Sequence, residues 1–168
     1  MHSSVETLSD RTLTLSNNDI QLVSVPVICV VGLPGSGKTY LTNLLSRSMH
    51  SIVVDDCSRA TLDHNGMQLV RDAIKCAREM IDAGQPCQVI ITDPFFCMDV
   101  VRQTVSKKLK GMDSVTIWWI YFENNPVKCR NNISLREKLG DNRNVLSSLE
   151  FFNKKYCPPS MTTEIWQG

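Results

Sequence analysis

Apolar and polar residues alternate along this chain in blocks that change period. Val23 to Val31 is a valine-rich run, and after Pro26 it has the continuous character of a buried strand. Pro26 lacks an N–H, which argues against a central strand position before residue 27. Leu41, Leu44 and Leu45 then fall at helical spacing within Lys38 to Met49. Ser51 to Val54 is a second short apolar run. From Gly66 to Ala83 the positions Met67, Val70, Ile74, Ala77 and Ile81 recur every three or four residues, which predicts an amphipathic helix with Gly84 as its C-cap. Val89 to Thr92 reads as a third strand, Asp99 to Leu109 as a helix ended near Gly111, and Val115 to Phe122 as the fourth strand and the most continuous apolar run. Asn125-Pro126 opens a charged helix to about Leu139. Gly140-Asp141-Asn142 breaks the chain, Val145 to Tyr156 predicts a further helix, and Thr162 to Trp166 a last short strand. Residues 1–22 are polar and read as a peripheral segment in which a short hairpin is possible.

Strands alternating with helices of about a dozen residues imply βαβ units and a parallel sheet. The first strand and the first helix bracket Gly32-Leu33-Pro34-Gly35-Ser36-Gly37-Lys38-Thr39, a full GxxxxGK[ST] pattern in its required strand–loop–helix context. In such a P-loop, backbone N–H groups form an anion nest at a helix N-terminus. Lys38 is expected to reach the β- and γ-phosphates of ATP, and Thr39 to ligate Mg²⁺. The expected fold is α/β, a P-loop NTPase or small-kinase-like three-layer fold with a parallel sheet and a helical lid. Residues 23–168 form the kinase domain, with the lid at about 126–143.

The loop is shared by ATPases, GTPases, motors and small kinases. The fourth strand leads into Glu123-Asn124-Asn125-Pro126, which does not match the guanine-reading NKxD segment of a small GTPase, and 168 residues leave little space for helicase machinery. A phosphotransfer kinase is the reading that remains. Asp55 and Asp56 follow the second strand, which is expected to end beside the glycine loop. Either can take a proton from an attacking hydroxyl, and Asp55 is preferred. Arg59 could hold an acceptor phosphate. Asp93, at the end of the third strand, is a candidate to hold Mg²⁺ through water or to contact the acceptor. Phe95 and Phe96 offer a stacking wall for a base, or core packing. Arg102 could reach a substrate phosphate. In the lid, Arg136 is the preferred cation closing on the transferring phosphoryl, with Arg143 second and Arg130 also a candidate.

Taken together, these residues resemble the P-loop polynucleotide 5′-kinases of phages and their relatives, including the phage kinases of hydroxymethyluracil in DNA. The resemblance spans about residues 27–143. It rests on Gly32 to Lys38, on Asp55-Asp56 with Arg59, on Asp93, and on the acidic, Pro, Arg-Asn pattern of Phe122 to Asn132. It implies that the first Asp is the general base and that the nearby Arg orients the acceptor phosphate, roles that fall on Asp55 and Arg59. The family spacing places Arg three residues after the base. Here that position is Ser58, and the spacing is restored if Asp56 is the counterpart.

The implied activity is ATP-dependent transfer of a γ-phosphoryl to a hydroxyl on nucleic acid, DNA before RNA, at a 5′-end or a hydroxymethylated base. A nucleoside or nucleotide kinase and a non-enzymatic NTP-binding protein are the alternatives. Charge separates them little. Lys and Arg total 18 against 17 Asp and Glu, so no global field draws nucleic acid. The balance is uneven, however, with a net of −3 before Cys97 and +4 from there onward. Seven cysteines without a CxxC pair fit reduced thiols in a reducing, cytoplasm-like compartment rather than a zinc site, and the resemblance implies the cytoplasm of a bacterium or phage-infected host. No run of about 18 apolar residues predicts a membrane span.

Overall fold

The computed structural model describes residues 23–57, 64–138 and 145–159. The expected N-terminal hairpin, the break at Gly140-Asp141-Asn142, the strand at Thr162 to Trp166, and the candidates Arg59 and Arg143 lie outside the described residues. The elements are β1 (Val25–Val31), α1 (Lys38–Ser48), β2 (His50–Asp55), α2 (His64–Asp82), β3 (Cys87–Thr92), a 3-10 turn (Pro94–Cys97), α3 (Asp99–Lys110), β4 (Val115–Tyr121), α4 (Pro126–Lys138) and α5 (Val145–Asn153). The described strands form one all-parallel sheet in the order β2-β3-β1-β4. The architecture is therefore α/β with three layers.

Alternation along β1 divides the core. Val25, Val27, Cys29 and Val31 face a large cluster with Met67, Val70 and Ala77 of α2, Val105 and Leu109 of α3, and Leu149 and Phe152 of α5. Ile28 and Val30 face the opposite side, with Leu41 and Leu45 of α1. Helix α2 ends where its periodicity stops. Gly84 N–H donates to Ile81 O and Gln85 N–H to Met80 O, the paired bonds of a Schellman cap. Arg78 on α2 ties two sheet entries together, donating to Val23 O at 2.8 Å and Ser114 O at 2.6 Å.

Two expectations change. Strand β1 begins at Val25, with Pro26 inside it. Pairing with β4 starts at Val25 but pairing with β3 only at Val27. Val25 N–H points to β4, donating to Ser114 O. By alternation, the N–H that Pro26 lacks would face β3 before that ladder begins, so no bond is lost. The second change concerns β2, which was expected to end beside the glycine loop. Strand β3 lies between β2 and β1. The most continuous apolar run, β4, is also less buried than β3, and Trp118 is largely exposed.

Candidate functional site

The loop between β1 and α1 lies where the strands end at their carboxyl termini. Gly35 and Gly37 adopt φ of 82° and 102°, a left-handed backbone that side chains disfavour. At Gly35 there is a second constraint: a Cβ there would lie 2.5 Å from Cys129 O and 2.9 Å from Ile133 Cγ1, both on α4. Helix α4 therefore rests directly on the loop, and Asn132 Nδ2 donates to Gly35 O at 2.9 Å. On the other side, Ser36 N–H donates to Leu33 O at 3.0 Å. Beneath the loop, Phe122 N–H donates to Val31 O at 2.8 Å, and the Phe122 ring approaches Gly32 and Gly37.

Gly37 caps α1 without a side-chain hydrogen bond, so the first N–H groups of the helix open onto the loop. Ser36 Oγ is buried and has no hydrogen-bond partner. Buried hydroxyls are rarely left so, and one in this place suits an oxyanion. Lys38 Nζ lies across the loop, donating to Gly32 O at 2.7 Å and Leu33 O at 3.0 Å. Burial lowers the Lys38 pKa, while the nearby sulfurs of Cys97 and Cys129 and the carboxylates of Asp55 and Asp93 act the other way. Thr39 is exposed at the first turn of α1, and Leu33 is fully buried, so it can offer a ligand only its backbone. Half-buried Pro34 has no N–H to offer.

Three carboxylates lie at the ends of the next two strands, Asp55 and Asp56 at β2 and Asp93 after β3. Asp55 is exposed, and its Oδ1 accepts from Thr92 Oγ1 and, at 3.1 Å, from Asp56 N–H. Asp56 is exposed too, at φ 50°, a conformation Asp tolerates better than most side chains. Asp93 has no exposed surface. Its Oδ1 caps the 3-10 turn by accepting from Phe95 N–H at 2.8 Å, and the Cys57 thiol bonds to it. That burial sets Asp93 apart from a direct acceptor contact, while leaving its charge acting on Lys38.

Several expected ligand contacts have internal duties instead. Phe96 is completely buried, edge-on to Trp119 at 5.3 Å, and so cannot serve as a stacking wall. Phe95, half-buried, packs edge-on against Phe152 of α5 at 5.1 Å. Arg102 is only 8% exposed, and its guanidinium donates to Phe96 O at 2.6 Å and to Asp99 Oδ1 at 3.2 Å, which corrects its reading as a phosphate contact. Arg130 pairs with Glu150 of α5 at 3.6 Å and is not turned to the loop. Arg136 does join the site. With Ser36, Gly37, Tyr40, Phe122 and Leu135 it lines a cavity of about 520 Å³ beside the loop.

Tyr40, Leu135 and Asn132 were missed as site residues. Tyr40 and Leu135 are 60% and 58% exposed and line the cavity. Tyr40 directly follows Thr39, the one signal in the sequence that could have found it. Among the described residues no group of three or more His, Cys, Asp or Glu side chains is arranged to hold a metal ion, and no helix is long and apolar enough to cross a membrane.

No family model matches the chain. Over 133 residues it is 31% identical to "Uncharacterized protein R277" of Acanthamoeba polyphaga mimivirus, covering 77% of this chain and 85% of that protein. The chain belongs to the family of that mimivirus protein. Among solved structures it is similar to "Crystal structure of APE1195", at 21% identity and a TM-score of 0.45, with 83% of each chain covered.

Proposed function

We propose that this protein is an ATP-dependent phosphotransferase of P-loop, small-kinase-like fold whose acceptor is a hydroxyl on nucleic acid. The observation that carries the reading is the loop itself. A buried hydroxyl without a partner, uncapped helix N–H groups and a lysine share one short loop, and the charges of Asp55 and Asp93 act on that lysine. The triphosphate would lie along Gly35, Ser36, Gly37 and Lys38. The base would extend into the cavity bounded by Tyr40, Phe122 and Leu135, where aromatic and apolar surfaces meet.

In this reading the Thr39 hydroxyl would hold Mg²⁺. Bound there, Mg²⁺ would neutralise charge on the β- and γ-phosphates. Asp55 takes the proton of the acceptor hydroxyl. The acceptor oxygen bonds to the γ-phosphorus as the bond to the β,γ-bridging oxygen breaks, and the nucleoside diphosphate leaves. Lys38 and Arg136 offset the charge on the transferring oxygens. Asp55 is preferred to Asp56 because its charge acts on Lys38 and Thr92 fixes one of its oxygens. A small nucleoside or nucleotide acceptor is the second reading, favoured by the near-neutral net charge.

The test is transfer of label from γ-labelled ATP to 5′-hydroxyl DNA and RNA, hydroxymethyluracil DNA and free nucleosides. Label on a polymer is the expected result. Label only on a monomer would replace the nucleic-acid reading with the small-molecule one, and ATP binding without any transfer would remove the enzyme reading.

A further inference from the structure

A second groove, with a volume of about 690 Å³, runs between α3 and β4. Its helical wall comes from residues spaced three and four apart, including Arg102, Ser106, Lys107 and Lys110. Its other wall comes from alternate residues of β4, Ile117, Trp119 and Tyr121. The Trp119 and Tyr121 rings lie nearly parallel, 6.4 Å apart at 27°. The Arg102 guanidinium lies over Tyr121 at 5.7 Å and is held there by Phe96 O and Asp99. Lys107 and Lys110 are exposed and have no ion pair among the described residues.

We propose that this groove binds a single-stranded nucleic-acid segment, with Lys107 and Lys110 on its phosphates and Trp119 and Tyr121 as surfaces for its bases. Charge and shape both favour that occupant. Three cations against one carboxylate, Asp99, line the groove, and they fall in the half of the chain with a net of +4. A cationic track beside consecutive aromatic rings is how proteins hold single strands with little sequence preference. The helix that forms one wall has twelve residues and is about 18 Å long. Its Asp99–Tyr121 end lies at the carboxyl ends of the strands, where the 3-10 turn joins it to Asp93. The proposal deepens the nucleic-acid reading above and rests on it for the direction in which the strand is presented.

The experiment measures fluorescence anisotropy of a labelled oligothymidylate of about 12 nucleotides, within the usual site size for such grooves, with the full chain and no ATP. The comparison is the Lys107→Ala, Lys110→Ala double variant. The variant should bind at least tenfold more weakly, and its log–log salt slope should be shallower by about 1.4, two phosphate contacts on a single strand. Its ATP affinity should match that of the unaltered protein, which also verifies folding. Equal affinity of the two proteins for the oligonucleotide, or no binding by the unaltered protein, overturns the proposal. Oligonucleotide binding that depends on both lysines, without phosphoryl transfer to any acceptor, sinks the kinase reading and leaves the groove standing. Transfer to a polymer that is indifferent to the lysines does the reverse.

Discussion

Asn132 on α4 and Gly35 in the glycine loop are joined by a hydrogen bond from Nδ2 to the carbonyl oxygen, 2.9 Å long. The bond holds the Gly35 carbonyl against α4. Asn132→Asp would set a carboxylate oxygen against that carbonyl, and Asn132→Leu would leave it unpaired. Loss of a hydrogen bond of this kind costs about 0.5–1.5 kcal/mol, so ATP affinity should fall by roughly two- to twelvefold in Asn132→Leu and further in Asn132→Asp. Isothermal titration measures this. Unchanged affinity in both variants would show that the contact does not shape the loop for its ligand.

The two adjacent carboxylates should separate cleanly. Asp55→Asn is expected to lower kcat by about 10²–10⁴ with little change in ATP affinity, because it removes the proton acceptor while Thr92 can still hold the side chain. Asp56 sits at φ 50° with its N–H on Thr92 O. Asp56→Gly suits that backbone and should change the melting temperature little. Initial rates and thermal melts of the two variants decide the assignment. A larger rate loss in Asp56→Gly would transfer the base to residue 56.

All seven cysteines are free, but only Cys76 and Cys157 are exposed. Cys29, Cys57, Cys87, Cys97 and Cys129 are buried. A thiol reagent such as DTNB should therefore titrate two groups quickly in the native protein and the other five only on unfolding. Nucleotide binding should slow the five further, since Cys97 and Cys129 lie close to Lys38.

The same burial predicts a stability limit in alkali. Burial raises the Cys29 thiol from its ordinary value of 9.0 to about 12 and that of Cys97 to about 11. Native thiols then stay protonated where unfolded ones ionise. Folded pKa values above unfolded ones mean that the stabilisation is complete below about pH 9 and is lost as pH rises toward 11 and 12. Melting temperatures measured from pH 7 upward should be level at first and fall above pH 9. Replacing Cys29 with Ala should flatten part of that fall.

Much of the local structure was legible in the sequence. The 3.6-residue period of Met67 to Ile81 placed α2 to within two residues at each end, and the glycine pattern marked the turn from β1 into α1. Local chemistry also put Asp55 and Asp93 at strand ends. What stayed hidden is non-local. Nothing near β2 says that β3 will insert between it and β1. Arg102 and Phe96 looked like ligand contacts because each carries the right chemistry. Their duties are set instead by partners on other elements: Trp119 for Phe96, and the Phe96 carbonyl and Tyr121 ring for Arg102. Arg130 and Arg136 share a helix and a charge, and only the position of α5 with Glu150 tells them apart.

The packing of Gly35 against Cys129 and Ile133 has a consequence for the order of synthesis. Partners 97 residues apart complete the outer wall of the loop. A ribosome that has released only β1 and α1 has made every residue of the GxxxxGKT motif but not the helix that gives it support. Contacts this distant form late and slowly. A nascent chain arrested before residue 126 should therefore carry the whole motif and bind ATP poorly, with full affinity arriving only once α4 has emerged.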